Sequence, residues 1–179
     1  SVAAPMFQKY GLRTTQYVLP GMVKDSGYLS IEQMKALQKS GHEVACHSMD
    51  HPDLTSLENS DLEYQLATCK TQLATILGKP VDDFASPYGH TNPNVISVIK
   101  KNYKTHRNTN GDITNGVNEF DVNIASKFNA YDIIGVTVRR DTPVSQLKEA
   151  VDYAIAHNGW LVITYHQVDE GPSQFGLDN

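Results

Sequence analysis

Gly41-His42-Glu43-Val44-Ala45-Cys46-His47-Ser48-Met49-Asp50-His51-Pro52 is the stretch on which the reading of this chain turns. Glu43 to Cys46 is a short run, set off upstream by Gly41, and reads as a β-strand. His47 then stands at the C-terminal end of that strand, with His51 four residues on. Two histidines at this spacing, on a turn or a first helical turn, can aim both imidazoles at one metal ion. Imidazole suits zinc and similar divalent ions. Many pairs at this spacing are accidental; the strand-end position is what gives this one weight.

Outward from that stretch, strand and helix patterns alternate. Upstream, Val2, Met6, Phe7 and Tyr10 recur at helical spacing and Gly11 ends the segment. Thr14 to Leu19 is β-branched and aromatic and closes on the turn Pro20-Gly21. Ser30 with Gln33 forms a capping box ahead of Ile31, Met34 and Leu37. Downstream, Ser60 with Glu63 reads as a second capping box, and Leu62, Leu66, Cys69, Leu73 and Leu77 give the strongest helical stripe, ended by Gly78 and Pro80. Asp83 to Ala85 is a strand leading into Ser86-Pro87-Tyr88-Gly89, and Asn92-Pro93 opens another helix. Lys104 to Arg107 is a weak strand, and Asn108 to Asn118 a loop. Ile133 to Val138 is a strand. Thr142-Pro143 opens a helix with Leu147, Val151, Ala154 and Ile155 inward, and Trp160 to Tyr165 is a last apolar strand with His166 at its end.

Such alternation implies a parallel sheet with crossover helices and ligands at the C-terminal strand ends. The chain opens on a helix that leads into a strand, where a repeating fold places another strand first. The expectation is therefore a single domain over 1–179, cut at both ends.

The 179 residues, 40% apolar and 20% charged, read as an ordinary globular domain. A net charge of −5 argues against non-specific nucleic-acid binding. No apolar run approaches the ~20 residues of a membrane span. Cys46 and Cys69 are too few for a disulfide framework and read as buried free thiols, a single disulfide being the alternative.

Two further signals carry chemistry. His166, after Val162-Ile163-Thr164-Tyr165, can serve as a general acid or base. Pro87 and Gly89 fix a tight strand-end loop whose backbone N–H groups could face a developing oxyanion. Taken alone, the first is more readily a structural histidine and the second a plain turn.

In this order, the motifs together resemble the polysaccharide deacetylases of carbohydrate esterase family 4, the NodB-homology type. Lys9 to Val18 looks like a family strand, Gly41 to Pro52 matches the family's histidine motif, Pro87-Tyr88-Gly89 the tail of its R-P-P-Y-G motif, and Leu161 to His166 its closing motif. The resemblance implies a distorted (β/α) barrel, here lacking its first strand. It implies one divalent metal, usually zinc, held by an aspartate and by His47 and His51; the metal polarises an acetyl carbonyl and activates water. An adjacent aspartate would be the general base. His166 would protonate the leaving amine, and the Tyr88 backbone N–H, placed by Pro87, would hold the oxyanion. The substrate would be an acetylated polysaccharide such as peptidoglycan, chitin, an exopolysaccharide or xylan, met outside the cell or in its envelope.

The sequence also departs from the family pattern. The T-F-D-D motif has no match, Ala85 stands where the family has arginine, and the loop around Asp112 is the nearest counterpart of the fourth motif. Asp50 and Asp53 lie near the histidines but read as solvated or capping residues. His42, His90, His106 and His157 have no motif support, although His90 is placed to line the groove. The rival readings are a non-catalytic carbohydrate-binding relative, a metal-binding module unrelated to sugars, and an esterase acting on acetyl-xylan.

Overall fold

The computed structural model describes residues 3–168 and 176–177. Helix α1 (Ala3–Lys9) leads into β1 (Thr15–Val18), then α2 (Ile31–Lys39) and β2 (Glu43–Cys46). A long helical stretch follows: α3 (Asn59–Glu63), a π-helical turn (Tyr64–Thr68) and α4 (Cys69–Leu77). Next come β3 (Asp83–Ala85), α5 (Pro93–Asn102), β4 (Thr105–Arg107), β5 (Asn123–Ile124), β6 (Gly135–Thr137), α6 (Val144–Ala156), β7 (Gly159–Trp160) and β8 (Val162–Thr164). A short parallel pairing of Gln167–Val168 with Gly176–Leu177 follows, where the sequence suggests no further element.

The first four strands form one parallel sheet in chain order, with Val18 opposite Cys46 and Ala85 opposite Arg107. The wall continues through single parallel bridges, Arg107 to Ile133 and Gly111 to Val136, to β6, which pairs in parallel with β8. Among the described residues β8 and β1 are not paired; residues of both strands line one cavity. The architecture is a distorted (β/α) barrel with an open seam between those two strands.

Alternation along the strands separates two environments. Val44, Cys46 and Phe84 point outward into an apolar core shared with Met34 of α2, Leu73 of α4 and Ile99 of α5. Glu43, Asp83, Thr105 and Arg107 line the barrel interior. The Thr15 hydroxyl donates to Glu43 Oε2 at 2.7 Å, and the Thr105 hydroxyl donates to Asp83 Oδ1. Burial, together with the adjoining Asp83 carboxyl, holds the Glu43 carboxyl above its ordinary range.

Several expectations are met closely. Ser30 and Gln33 form both halves of the capping box. Asn92 caps α5 by accepting from the Val95 N–H at 2.9 Å. Gly78 ends α4 in the left-handed conformation, at φ 67°.

Others are corrected. Ser60 is not an N-cap: it lies inside α3, whose cap position is held two residues earlier by Glu58, with no side-chain capping bond. Cys46 and Cys69 are not free thiols but a disulfide, because β2 and the start of α4 bring their Cα atoms to 6.1 Å. On α6 the inward residues are Ala150 and Ala154, with Leu147 partly buried. Val151 and Ile155 are 42% and 71% exposed, since the helix rests on the small Ile113–Val136 cluster through Ala150 and Leu147. Trp160 to Tyr165 is not one strand. Gly159–Trp160 turns aside to pair antiparallel with Asn123–Ile124, and the Asn123 amide holds the break by donating to the Ile134 and Trp160 carbonyls.

Candidate active site at the C-terminal strand ends

His47 extends β2 by one residue, its N–H donating to the Val18 carbonyl at 2.9 Å. Its ring Nδ1–H donates to the Ala85 carbonyl at 2.7 Å, which leaves Nε2 as the open lone pair. Backbone orientation of one ring nitrogen is the usual way a ligating imidazole is aimed. Burial drives the His47 pKa down to about 3, with a smaller contribution from His51. Burial also lowers His51. Both rings are thus neutral near pH 7, the form a metal requires.

The intervening turn is held in an uncommon conformation. Ser48 and His51 have φ of 72° and 68°. Both lie in the left-handed region, which costs energy for residues with a Cβ. The His51 N–H donates to the Ser48 hydroxyl at 3.0 Å. Gln65, buried on the π-helical turn, accepts from the Met49 N–H at 2.9 Å and donates to Asp50 at 2.6 Å. From the other side, the Gly21 N–H donates to the Met49 carbonyl at 3.0 Å. A Cβ at Gly21 would lie 2.5 Å from that oxygen, so only glycine allows this approach.

The outcome is a His47–His51 pair with ring centroids 4.9 Å apart at 74°. Tyr88 meets His51 edge-on at 4.6 Å and is 58% exposed, open to a ligand. Its loop is fixed by buried Pro87 and by a chain of tautomers: the Ser86 hydroxyl donates to His106 Nε2 at 2.8 Å, and His106 Nδ1–H donates to the Tyr131 carbonyl at 2.9 Å. His166, at the end of β8, lines the same cavity of about 600 Å3 as His47. Its pKa is lowered by burial first, then by the charges of Arg107 and His51.

The other candidates fall elsewhere. His90 turns to Asp53 at 3.0 Å. Asp53 also caps Thr55, and these bonds, Thr55 first, hold its carboxyl down to about 2. Asp50 serves Gln65. Asp112 is exposed and bonded to Thr114, outside the cavity lining. His42 contacts Thr14 at 2.8 Å, a structural role.

Two residues had no sequence signal strong enough to single them out. Gln65 lies on the buried side of a helix whose π turn the apolar stripe does not disclose. Arg107 sits two residues after Thr105 on β4, and strand alternation places both on the interior face.

The two neutral imidazoles fit two positions of a metal's coordination sphere. Among the described residues, no cluster of three His, Cys, Asp or Glu side chains is placed to hold an ion.

A parallel barrel with its titratable side chains gathered at the C-terminal strand ends has the form of a barrel-enzyme site. The polysaccharide deacetylase family model matches residues 2–105, and the chain belongs to that family. A chitooligosaccharide deacetylase of Azorhizobium caulinodans is 32% identical over 65 residues, 36% of this chain and 31% of that protein. The Streptococcus pyogenes deacetylase PplD, solved with acetate, superposes with a TM-score of 0.73 at 21% identity, over 83% of this chain and 63% of that one. A carbohydrate esterase family 4 pseudoenzyme from Bacillus anthracis superposes at 0.53 with 17% identity, over 89% of this chain and 56% of that one. The first curated relatives are matched over about a third of their own length, from 28% to 36%.

Proposed function

We propose that this chain is the working domain of a metal-dependent deacetylase that removes acetyl groups from an N-acetylated polysaccharide such as chitin or peptidoglycan. The observation that carries the reading is the His47–His51 pair, neutral and 4.9 Å apart, beside a cavity that His166 also lines. A relative that acts on chitooligosaccharides supports the substrate class. Neutral imidazoles suit zinc among other divalent ions, and zinc is the ion we propose; when bound, it would polarise the acetyl carbonyl and acidify water. Polysaccharides of this kind lie outside the cytoplasm, so we place the protein in the envelope or beyond it. No helix among the described residues is long and apolar enough to cross a membrane.

The chain's own residues divide the remaining work. His47 and His51 present Nε2 and a ring nitrogen as lone-pair donors, held by the Ala85 carbonyl and by the bonds of the turn's backbone to the Ser48 hydroxyl and the Gln65 side chain. Pro87 fixes the loop that places the Tyr88 backbone beside them for the oxyanion, and the Tyr88 ring offers a face to a sugar. His166 begins neutral, so it takes up a proton before passing one to the leaving amine nitrogen. The products are acetate and a free amine.

The experiment is metal-dependent acetate release from a chitin oligomer by the natural protein that carries this chain. His166→Ala should abolish turnover while leaving metal binding intact. Intact metal and saccharide binding with no acetate released from chitin or acetyl-xylan would favour the non-catalytic reading, as in the pseudoenzyme that shares the fold.

A further inference from the structure

The turn that carries both site histidines is clamped at its two ends by one helical segment. At the far end, the Gln65 side chain of the π-helical turn accepts from the Met49 N–H and donates to the Asp50 carboxylate. At the near end, the disulfide joins Cys69, which follows the π-helical turn, to Cys46, which precedes His47. The π-helical turn is itself anchored by Tyr103, whose hydroxyl donates to the Leu66 carbonyl at 2.7 Å. Alternation sends the neighbours Cys46 and His47 to opposite sides of the sheet: Cys46 is fully buried in the outer core, and His47 lines the barrel cavity. The sulfur therefore faces away from any ion held by His47 and acts on the imidazole through the backbone.

The turn needs that restraint. Ser48 and His51 both lie in the left-handed region, and residues with a Cβ stay there only where their surroundings over-determine them. Cutting the Cys46–Cys69 bond removes a covalent tie and leaves the turn to Gln65 and packing, free to relax and turn the two imidazoles apart. Both cysteines are fully buried, so an oxidant reaches them only before the core has closed. The bond is made as the chain folds.

We propose that formation of the Cys46–Cys69 bond is a maturation step for the metal turn, and that the His47–His51 pair attains its full metal affinity only in a chain oxidised during folding. The proposal rests on the metal reading of that pair. The chemistry is thiol–disulfide exchange with a small-molecule or protein disulfide of an oxidising compartment. One cysteine attacks that disulfide and displaces its first thiol; the second attacks the mixed disulfide and displaces the other. The two electrons and two protons of the cysteine thiols leave on the two thiols of the oxidant. A chain folded where thiols stay reduced keeps the barrel but carries a slack histidine turn.

The test measures zinc affinity by competition with a chromogenic chelator, together with hydrogen exchange at the amides of residues 47–51. It compares four forms of the natural protein carrying this chain: oxidised wild type, wild type refolded reduced and freed of reductant under anaerobic conditions, Cys46→Ala/Cys69→Ala, and Val136→Ala. The last also costs stability, but in the separate core cluster beneath α6. The reduced protein and the double variant should bind zinc about tenfold more weakly than the oxidised protein, with faster exchange at 47–51. Val136→Ala should keep the oxidised wild-type affinity. Equal affinity in oxidised and reduced protein would overturn the proposal and leave the metal reading standing. Equal weakening in Val136→Ala would overturn it too, as would a reduced protein and double variant that are both unfolded, since the bond would then serve the whole barrel. No zinc binding by the oxidised protein would overturn the proposal and the metal reading together.

Discussion

The depressed pKa of His47 has a measurable consequence for stability. In the unfolded chain the imidazole titrates near 6.5, and in the folded protein near 3. Because the folded value is the lower one, unfolding takes up a proton between these two pH values, and stability falls as pH drops through that window. Near pH 7.5 the ring is neutral in both states and contributes nothing. Near pH 5.5 the unfolded ring is about nine-tenths protonated while the folded ring stays neutral, a loss of about 1.4 kcal/mol. This figure is insensitive to the folded value, provided that value lies well below the pH of the measurement. The comparison is urea unfolding at the two pH values, for wild type and for His47→Gln. His51, His106 and His166 are also held below their ordinary pKa and titrate in both proteins, so their contribution cancels. The wild type should lose about 1.4 kcal/mol more than the variant between the two conditions. Equal losses would show that His47 is solvated and protonated like a free imidazole, and the buried, backbone-oriented ligand described above would be refuted.

Other expectations follow from the same turn. The Cys46–Cys69 bridge closes a separation of 23 residues. Replacing both cysteines should therefore cost about 3 kcal/mol in urea unfolding, and an unchanged midpoint on reduction would contradict the pairing. Gln65→Leu strips partners from the Met49 N–H and the Asp50 carboxylate at once. It should cost about 1–3 kcal/mol and weaken zinc affinity in a competition titration, because the turn that carries both histidines loses its brace.

The parts of the molecule legible in the sequence are those governed by local rules. Strands β2 and β3 fall on the residues that the apolar runs and the glycine and proline boundaries indicate, and α5 begins where Asn92-Pro93 places it. The histidine motif is equally local, and His47, His51, Tyr88 and His166 do gather at one end of the barrel. What escapes the sequence depends on long-range placement. The disulfide needs β2 beside the start of α4, which spacing along the chain does not report. The exposed Val151 and Ile155 show that an apolar stripe gives a helix but not its rotation against the layer below. Gln65 and Arg107 are polar residues that the fold buries, and an apolar pattern passes over them. Only the folded structure shows that one braces the histidine turn and the other lines the cavity.

The central claim is that His47 and His51 hold a metal that serves deacetylation. The most direct measurement is acetate release from a chitin oligomer by the natural protein carrying this chain, before and after chelation and after zinc is restored. The account predicts loss on chelation, recovery with zinc, and no release from His47→Ala or His51→Ala at any zinc level that leaves the fold intact. Release that survives chelation, or that persists in both variants, would contradict it.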